Sequence, residues 1–332
     1  MKKILIISLA LFNFNLAYMQ TDAKNQQKYW KFRNSFRQDF IRIGLNDGES
    51  LPMGRRGFGK CIDNTNPYVK QKYGQLYWGD GVIRHGHYIG FLATEYRLLK
   101  NQGKDVTAVL NELYYALQAF NRLDENAEYV ISLERNNIQP QNGSLNGFYL
   151  RDDIPKDFDD HWQDEPIRAR GVHGLYNNNN SAQVDSENDS GGGEYDAEIG
   201  HNFGWNEPSL DQMSSMLVGL KVCYKLLDDG LWVQPTPNDP IIGLKQEVIQ
   251  ITHRIVDYAN QNNWFLLDMY GFPVENGGGD LALTAYPIGL IGNQITGLDY
   301  TNTLTRRTIL KYAESTLILK AQLKNKIGMM IV

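Results

Sequence analysis

Three stretches of this chain share one layout. Tyr77 to Leu99 reads YWGDGVIRHGHYIGFLATEYRLL, Asn206 to Leu220 reads NEPSLDQMSSMLVGL, and Glu275 to Leu290 reads ENGGGDLALTAYPIGL. In each, a polar turn opens an apolar helix, with the polar groups crowded at the helix start. The first stretch is the most explicit, carrying Arg84, His85 and His87 in its first two turns and turning hydrophobic beyond them. Gly86 and Gly90, four residues apart, fall on one helix face, where a neighbouring helix can approach closely. A helix start that recurs in this way predicts a repeated helical unit with its chemistry at one end.

Hydrophobic periodicity supplies the remaining helices. Asn25 to Ile43 is amphipathic, with Trp30, Phe32, Phe36 and Phe40 as an aromatic face. Val82 to Asn101 and Asp105 to Asn126 make an antiparallel hairpin around Gly103. Val106, Val109, Leu113, Leu117 and Phe120 form the buried stripe of its second helix. Leu210 to Leu227 pairs with Pro240 to Asn260, whose stripe is Ile241, Leu244, Val248, Ile251 and Ile255. Leu281 to Gln294 pairs with Asn302 to about Leu323.

Gly44 to Gln75, rich in Gly, Pro and Asn, is expected to be irregular, and Asn262 to Gly279 to contain a short strand pair. A long excursion runs from Ser132 to Pro208. Its first half is expected to be ordered, and Asn177 to Gly193 to be mobile, because almost nothing apolar offsets the entropy of ordering it. Turns within hairpins, near Gly103, Gly230 and Gly297, are short, whereas connections between hairpins are long and polar. Starts at Gly81, Ser209 and Asp280 therefore share one rim with the long loops, which describes a binding face.

The chain opens with Lys2 and Lys3, an apolar run from Ile4 to Leu16, and Ala17. That is the pattern of a signal peptide over residues 1–20, too short for a membrane anchor, and it predicts export to the periplasm or medium. About 310 residues remain, 21–332, enough for one large domain with its own core. Removal of the two lysines takes the net charge from −5 to −7, and no basic cluster compensates, which argues against nucleic acid as a partner. Only Cys61 and Cys223 are present, the second inside a helix, where a cysteine serves as a small buried hydrophobe. No CxxC or HExxH spacing suggests zinc.

Three passages carry a resemblance. They are WGDGVIRHGHYIGFLATEY (Trp78 to Tyr96), PSLDQMSSMLVGL (Pro208 to Leu220) and NWFLLDMYGFPVENGGG (Asn263 to Gly279). With the helix-pair spacing, they resemble the six-hairpin glycosidase-like proteins over roughly Tyr77 to Leu323, without matching one enzyme family. The resemblance implies an all-α fold, an (α/α) helical-hairpin toroid with the active site among long loops on one rim. Six hairpins are twice the three found here, so a partial toroid, truncated at its C-terminal side, is expected unless helices lie within the loops.

Such a rim implies an oligo- or polysaccharide partner. Asp80 precedes its helix and Asp211 sits in the first turn of the equivalent helix, where the dipole favours carboxylates. As a pair they would serve as acid and base in glycoside hydrolysis. As single residues they are the partners of helix starts, Asp80 and Ser209 as N-caps and Asp211 as a first-turn acid. Arg84 and His87 share a face. With Tyr88 or Tyr286 they suit polysaccharide elimination, Arg84 neutralising a uronate.

Arg151 and Asp152, with Asp153, lie in a loop expected to fold over the same rim. Trp78, Trp162, Trp205, Tyr149, Tyr270 and Tyr286 supply flat surfaces for sugar rings, Trp78 and Trp205 foremost. An exported glycoside hydrolase is the leading reading. A polysaccharide lyase and a non-catalytic glycan-binding or structural helical protein are the alternatives. No cofactor is expected. Asp185, Glu187 and Asp189 superficially suggest calcium, but Ser190 stands where the loop's glycine belongs, so a solvated acidic loop is the expectation.

Overall fold

The computed structural model describes 23–56, 75–77, 81–129, 143–153, 169–170, 207–268, 271–274, 281–304, 308–311, 313–315 and 317. The chain divides into two compact units, Met1–Arg42 and Ile43–Val332. The signal-peptide stretch, Cys61 and Asn177 to Gly193 lie outside the described residues.

In the first unit, helix α1 covers 23–39. Ser35 donates to Asp39 one turn on at 2.7 Å. Of the expected aromatic face, Phe32 is 71% exposed.

The second unit is mostly helical: α2 (Gly81–Asn101), α3 (Thr107–Glu125), α4 (Leu210–Leu226), α5 (Leu244–Gln261) and α6 (Ala285–Thr296), with 308–311 helical beyond a 3-10 turn at Thr301–Thr303. Among the described residues, no helix is long and apolar enough to cross a membrane. Helix α2 stops in a Schellman motif. Gly103, at φ +63°, donates to the Lys100 carbonyl, and Lys104 reaches back to that of Leu99, both at 2.9 Å. Asp105 accepts from the Thr107 amide at 2.9 Å, so α3 begins two residues after the sequence suggests.

Pairings fix the helix directions. Helix α3 runs antiparallel to α2, with the His85 Nε2 2.9 Å from the Ala116 carbonyl and Tyr88 donating to Glu112 at 2.5 Å. Helix α4 runs parallel to α2, because Gly86 meets Ser215 and Gly90 meets Gly219, the same four-residue step on both. The far ends meet too: Arg97 pairs with Asp228 at 3.0 Å, and Tyr96 and Lys100 also bond Asp228. Helix α5 lies beside α3 in the same direction, through Tyr114 to the Pro240 carbonyl (2.9 Å), Asn121 to Glu247 (2.8 Å) and Arg254 to Asp124 (2.8 Å). Helix α6 returns along α5, Gly292 facing Val256 and Gly289 facing Trp264.

Helices α2, α4 and α6 thus start at one end, and the turns at Gly103, Gly230 and Gly297 lie at the other. Cys223 is free and buried, its thiol 3.3 Å from the Ile89 carbonyl in the α2–α4 seam.

Three local expectations are corrected. The run from Gly44 to Gln75 is not wholly irregular. It contributes β1 (Gly54–Arg56), antiparallel to β2 (Gln75–Tyr77), which pairs in parallel with β3 (Ala169–Arg170). A three-residue strand completed by a partner some ninety positions away leaves no local periodicity. Ile241 is 59% exposed instead of buried, since α5 begins only at Leu244. The residues before it form β5 (Ile242–Gly243), paired with β4 (Trp232–Val233). The third start is Ala285, not Asp280, because Leu281 to Thr284 form a turn. The strand pair expected in Asn262 to Gly279 is present as a Leu267–Pro273 bridge.

His85 is wholly enclosed between α2 and α3, and burial pushes its pKa down to about 4 against a weaker opposing effect of the Ala116 carbonyl. The imidazole is neutral in the fold and protonated in the unfolded chain below about 6.5. Its stability contribution is therefore whole above that value and lost as pH falls towards 4. Wild type is expected to lose about 3 kcal/mol over that window through this group alone. Urea titrations at pH 7 and 4.5 should give a smaller loss in His85→Leu than in wild type, and equal losses would contradict this.

Candidate functional site

The shared end of α2, α4 and α6 is crossed by a strap, residues 147–153, whose path follows from its sequence. Gly147 (φ +89°) rests on α5 so closely that a methyl there would stand 2.2 Å from the Arg254 carbonyl oxygen. Phe148, Tyr149 and Leu150 are then fully buried. Phe148 packs on Tyr258 with ring centres 5.9 Å apart, Tyr149 packs on Phe120 at 5.0 Å, and the Leu150 amide donates to the Leu123 carbonyl at 3.1 Å. Arg151 donates from Nε to the Glu207 carbonyl at 2.8 Å, tying the strap to the start of α4. The Arg151 carbonyl lies over the start of α2, where a methyl on Gly81 would stand 2.4 Å from it.

Asp153 is buried and receives the Arg122 guanidinium and the Gly48 amide (3.0 Å). Arg122 also donates to the carbonyls of Leu45 (3.1 Å) and Glu49 (3.0 Å). Burial, reinforced by Asp153, pushes the Asp47 carboxyl up to about 6 although Arg122 opposes it.

Against this frame the sequence candidates separate. Arg151 and Asp152 belong to the strap, Asp152 buried against Gly81. Asp211 is exposed in the first turn of α4 and accepts from the Ser209 hydroxyl and, at 3.0 Å, from the Gln212 amide. Ser209 holds the N-cap position but its hydroxyl caps no backbone amide. Arg84 is half-buried and His87 exposed, one and two turns into α2. Tyr286, 39% exposed, lies in the first turn of α6. Tyr149 is not a free stacking surface, because the strap carries it into the interior. Trp78, Asp80, Trp162, Asp185, Glu187, Asp189, Trp205 and Tyr270 lie outside the described residues.

Sequence reasoning passed over Glu128, Glu207, Gln212 and Tyr258. Glu128 follows α3 at the rim end, with Oε1 accepting from Asn146 and Oε2 buried with no hydrogen-bonding partner among the described residues. Burial raises its carboxyl above the usual range. Glu207 is buried just before α4. Burial raises the Tyr258 phenol against its hydrogen bond to the Leu267 carbonyl, and Asp268, Glu128 and Glu207 add to the rise. The only sequence signal for this acidic neighbourhood was position, since Glu207 stands one Pro ahead of a recurring helix start. Among the described residues, no group of three or more His, Cys, Asp or Glu could hold a metal ion.

Comparison with known protein families, with curated proteins and with solved structures finds no match to this chain.

Proposed function

We propose that this protein is an exported glycoside hydrolase built as a partial (α/α) toroid, which binds an oligo- or polysaccharide across the rim and cleaves it with Asp80 and Asp211. The observation that carries this reading is the parallel, in-register packing of α2 on α4. Asp80 directly precedes the first residue of α2 in the sequence, and Asp211 is in the first turn of α4, the neighbouring helix that starts at the same end. Glycoside hydrolysis needs one carboxyl to protonate the leaving oxygen and another to activate water or attack the sugar. Asp211 is exposed there, and Tyr286 offers a partly exposed ring at the start of α6. Elimination loses Tyr88 as its acid, because that phenol is buried on Glu112.

A second reading, glycan binding without cleavage, draws on the two hydrogen bonds that Asp211 already accepts within its own turn. Asp80→Asn and Asp211→Asn separate the two. On a polysaccharide that wild type cleaves, each is expected to lower turnover by roughly 10²-fold or more. Melting temperatures should stay close to wild type, since Asn serves as well as Asp at a helix start. Turnover retained in the double variant would leave the binding reading in front.

A further inference from the structure

Helices α2 and α4 carry apolar residues on the side that faces solvent as well as on the side that faces the core. Ile89 and Leu92 on α2 and Met216 and Leu220 on α4 are buried. The exposed stripe of α2 is His87, Phe91, Thr94 and Leu98, and that of α4 is Asp211, Val218 and Lys225. Leu98 is 54% exposed and Val218 52%. Helices α3 and α5, the layer behind them, show no large exposed hydrophobic residue and turn Gln118, Glu125, Gln246 and Gln250 outward instead. A helix that is apolar all round is one built to be covered. The two stripes also make a single face. Gly90 meets Gly219 across the α2–α4 seam. In two parallel helices, the residue after a seam position on one and the residue before it on the other turn to the same side. Phe91 and Val218 are those residues.

We propose that this face is covered by a second copy of the chain, in an antiparallel two-fold dimer centred on Val218. The arrangement of charge favours that occupant. Asp211, Val218 and Lys225 are seven apart, so they stay on one line along α4. A two-fold axis across the helices at Val218 sets Val218 on Val218 of the partner subunit. The same operation sets Asp211 opposite Lys225 of the partner subunit, and does so twice, as an isologous contact must. Parallel pairing would set Asp211 and Lys225 each against its own kind. Phe91, one residue past the Gly90–Gly219 contact, lies within about 3 Å of the level of the axis and adds an aromatic ring beside it. The face of α2 and α4, roughly 20 Å wide and 30 Å long, offers about 600 Å² per copy, or about 1,200 Å² in all, which is the lower end for a specific interface. The partner packs on the flank of the helix array and leaves the end with the long loops open. Each rim then takes Lys225 of the partner subunit beside its own Asp211. The dimer goes beyond the hydrolase reading and does not depend on it.

Sedimentation velocity of the full chain tests it. Wild type should pass from monomer to dimer between about 1 and 100 μM, as suits an interface of this size. Val218→Asp brings two carboxylates together on the axis and should weaken association about 100-fold or more. Lys225→Glu and Asp211→Lys each oppose equal charges and should weaken it about tenfold. Combined, they restore opposite charges and should bring association back to within about threefold of wild type. All three positions are exposed, so far-UV circular dichroism should match wild type. Recovery in the double variant separates a lost contact from a damaged fold. Wild type that stays monomeric through that range overturns the proposal and leaves the face to a different protein. A dimer indifferent to Val218→Asp overturns it as well, and so does a double variant no tighter than its parents. A monomer that cleaves polysaccharide would end the dimer and keep the hydrolase reading, and a dimer of this register without cleavage would do the reverse.

Discussion

Gly219→Val is expected to abolish native folding, and Gly219→Ala and Gly86→Ala to cost about 3 kcal/mol or more each. The reason is backbone lying on backbone. A methyl at Gly219 would stand 2.0 Å from the Gly86 carbonyl oxygen and 2.9 Å from the Gly86 Cα. One at Gly86 would stand 2.3 Å from the Ser215 carbonyl oxygen and 2.8 Å from the Met216 Cα. No side chain can turn aside to relieve either clash, so α2 and α4 must separate. Separation opens the seam that buries Ile89, Met216, Leu220 and Cys223, and with it the alignment of the two helix starts. Against a total stability of roughly 5–15 kcal/mol, such a loss is decisive.

Gly90 is the control. A methyl there meets the Gly219 Cα and the Val222 Cβ at 3.6 Å, ordinary contact, while a helix gains roughly 1 kcal/mol from Gly→Ala. Gly90→Ala is therefore expected to be neutral or stabilising. Urea denaturation followed by far-UV circular dichroism checks all four variants. Gly219→Ala within 1 kcal/mol of wild type would mean that the helices are not held as described.

The same glycines mark how far the sequence could be read. Gly86 and Gly90, four apart on one face, announced a close helix neighbour, and the recurring helix starts announced which helices would run together. Both are local signals, visible in a single stretch. The partner of Gly86, Gly219 on another helix, could not be read from either stretch alone. Long-range pairing hid the β1–β2–β3 sheet in the same way, since its strands are too short to show alternation. Burial of polar groups was the least legible property. Tyr149 reads in sequence as one more aromatic in a polar loop, and only Gly147 seated on α5 and Asp124 beneath it explain why it turns inward. Gln212 stands next to Asp211, yet one is enclosed and the other exposed, because Gln212 falls one turn before Met216 on the buried side of α4 and Asp211 does not.

The second large effect concerns Asp124, which holds the strap from below. Its carboxylate is fully buried and accepts from the Asn146 amide at 3.0 Å, the Gly147 amide at 2.8 Å and Arg254 Nε at 2.8 Å. Burial raises its pKa, and Arg254 is the largest influence opposing the rise. Arg254→Met would leave a buried carboxylate with two backbone donors and no counter-charge, and is expected to cost about 3–5 kcal/mol at neutral pH. The sign of its pH dependence follows from the proton. Without Arg254 the folded-state pKa of Asp124 rises further above its unfolded value. The folded variant then takes up a proton, as pH falls, before the unfolded chain does. Its deficit against wild type should therefore be greatest at neutral pH and shrink on acidification.

Asp124→Asn keeps an oxygen for the two strap amides while removing the charge, so adding it to Arg254→Met should recover part of the loss, a coupling of roughly 2 kcal/mol in a double-mutant cycle. A variant that only loosened surface packing would show neither the shrinking deficit at low pH nor the recovery. Because these two amides begin the segment that carries Tyr149 and Arg151 across the helix starts, Arg254→Met should also raise amide hydrogen exchange through 147–153. Exchange unchanged there, with stability lost elsewhere, would detach Asp124 from the rim.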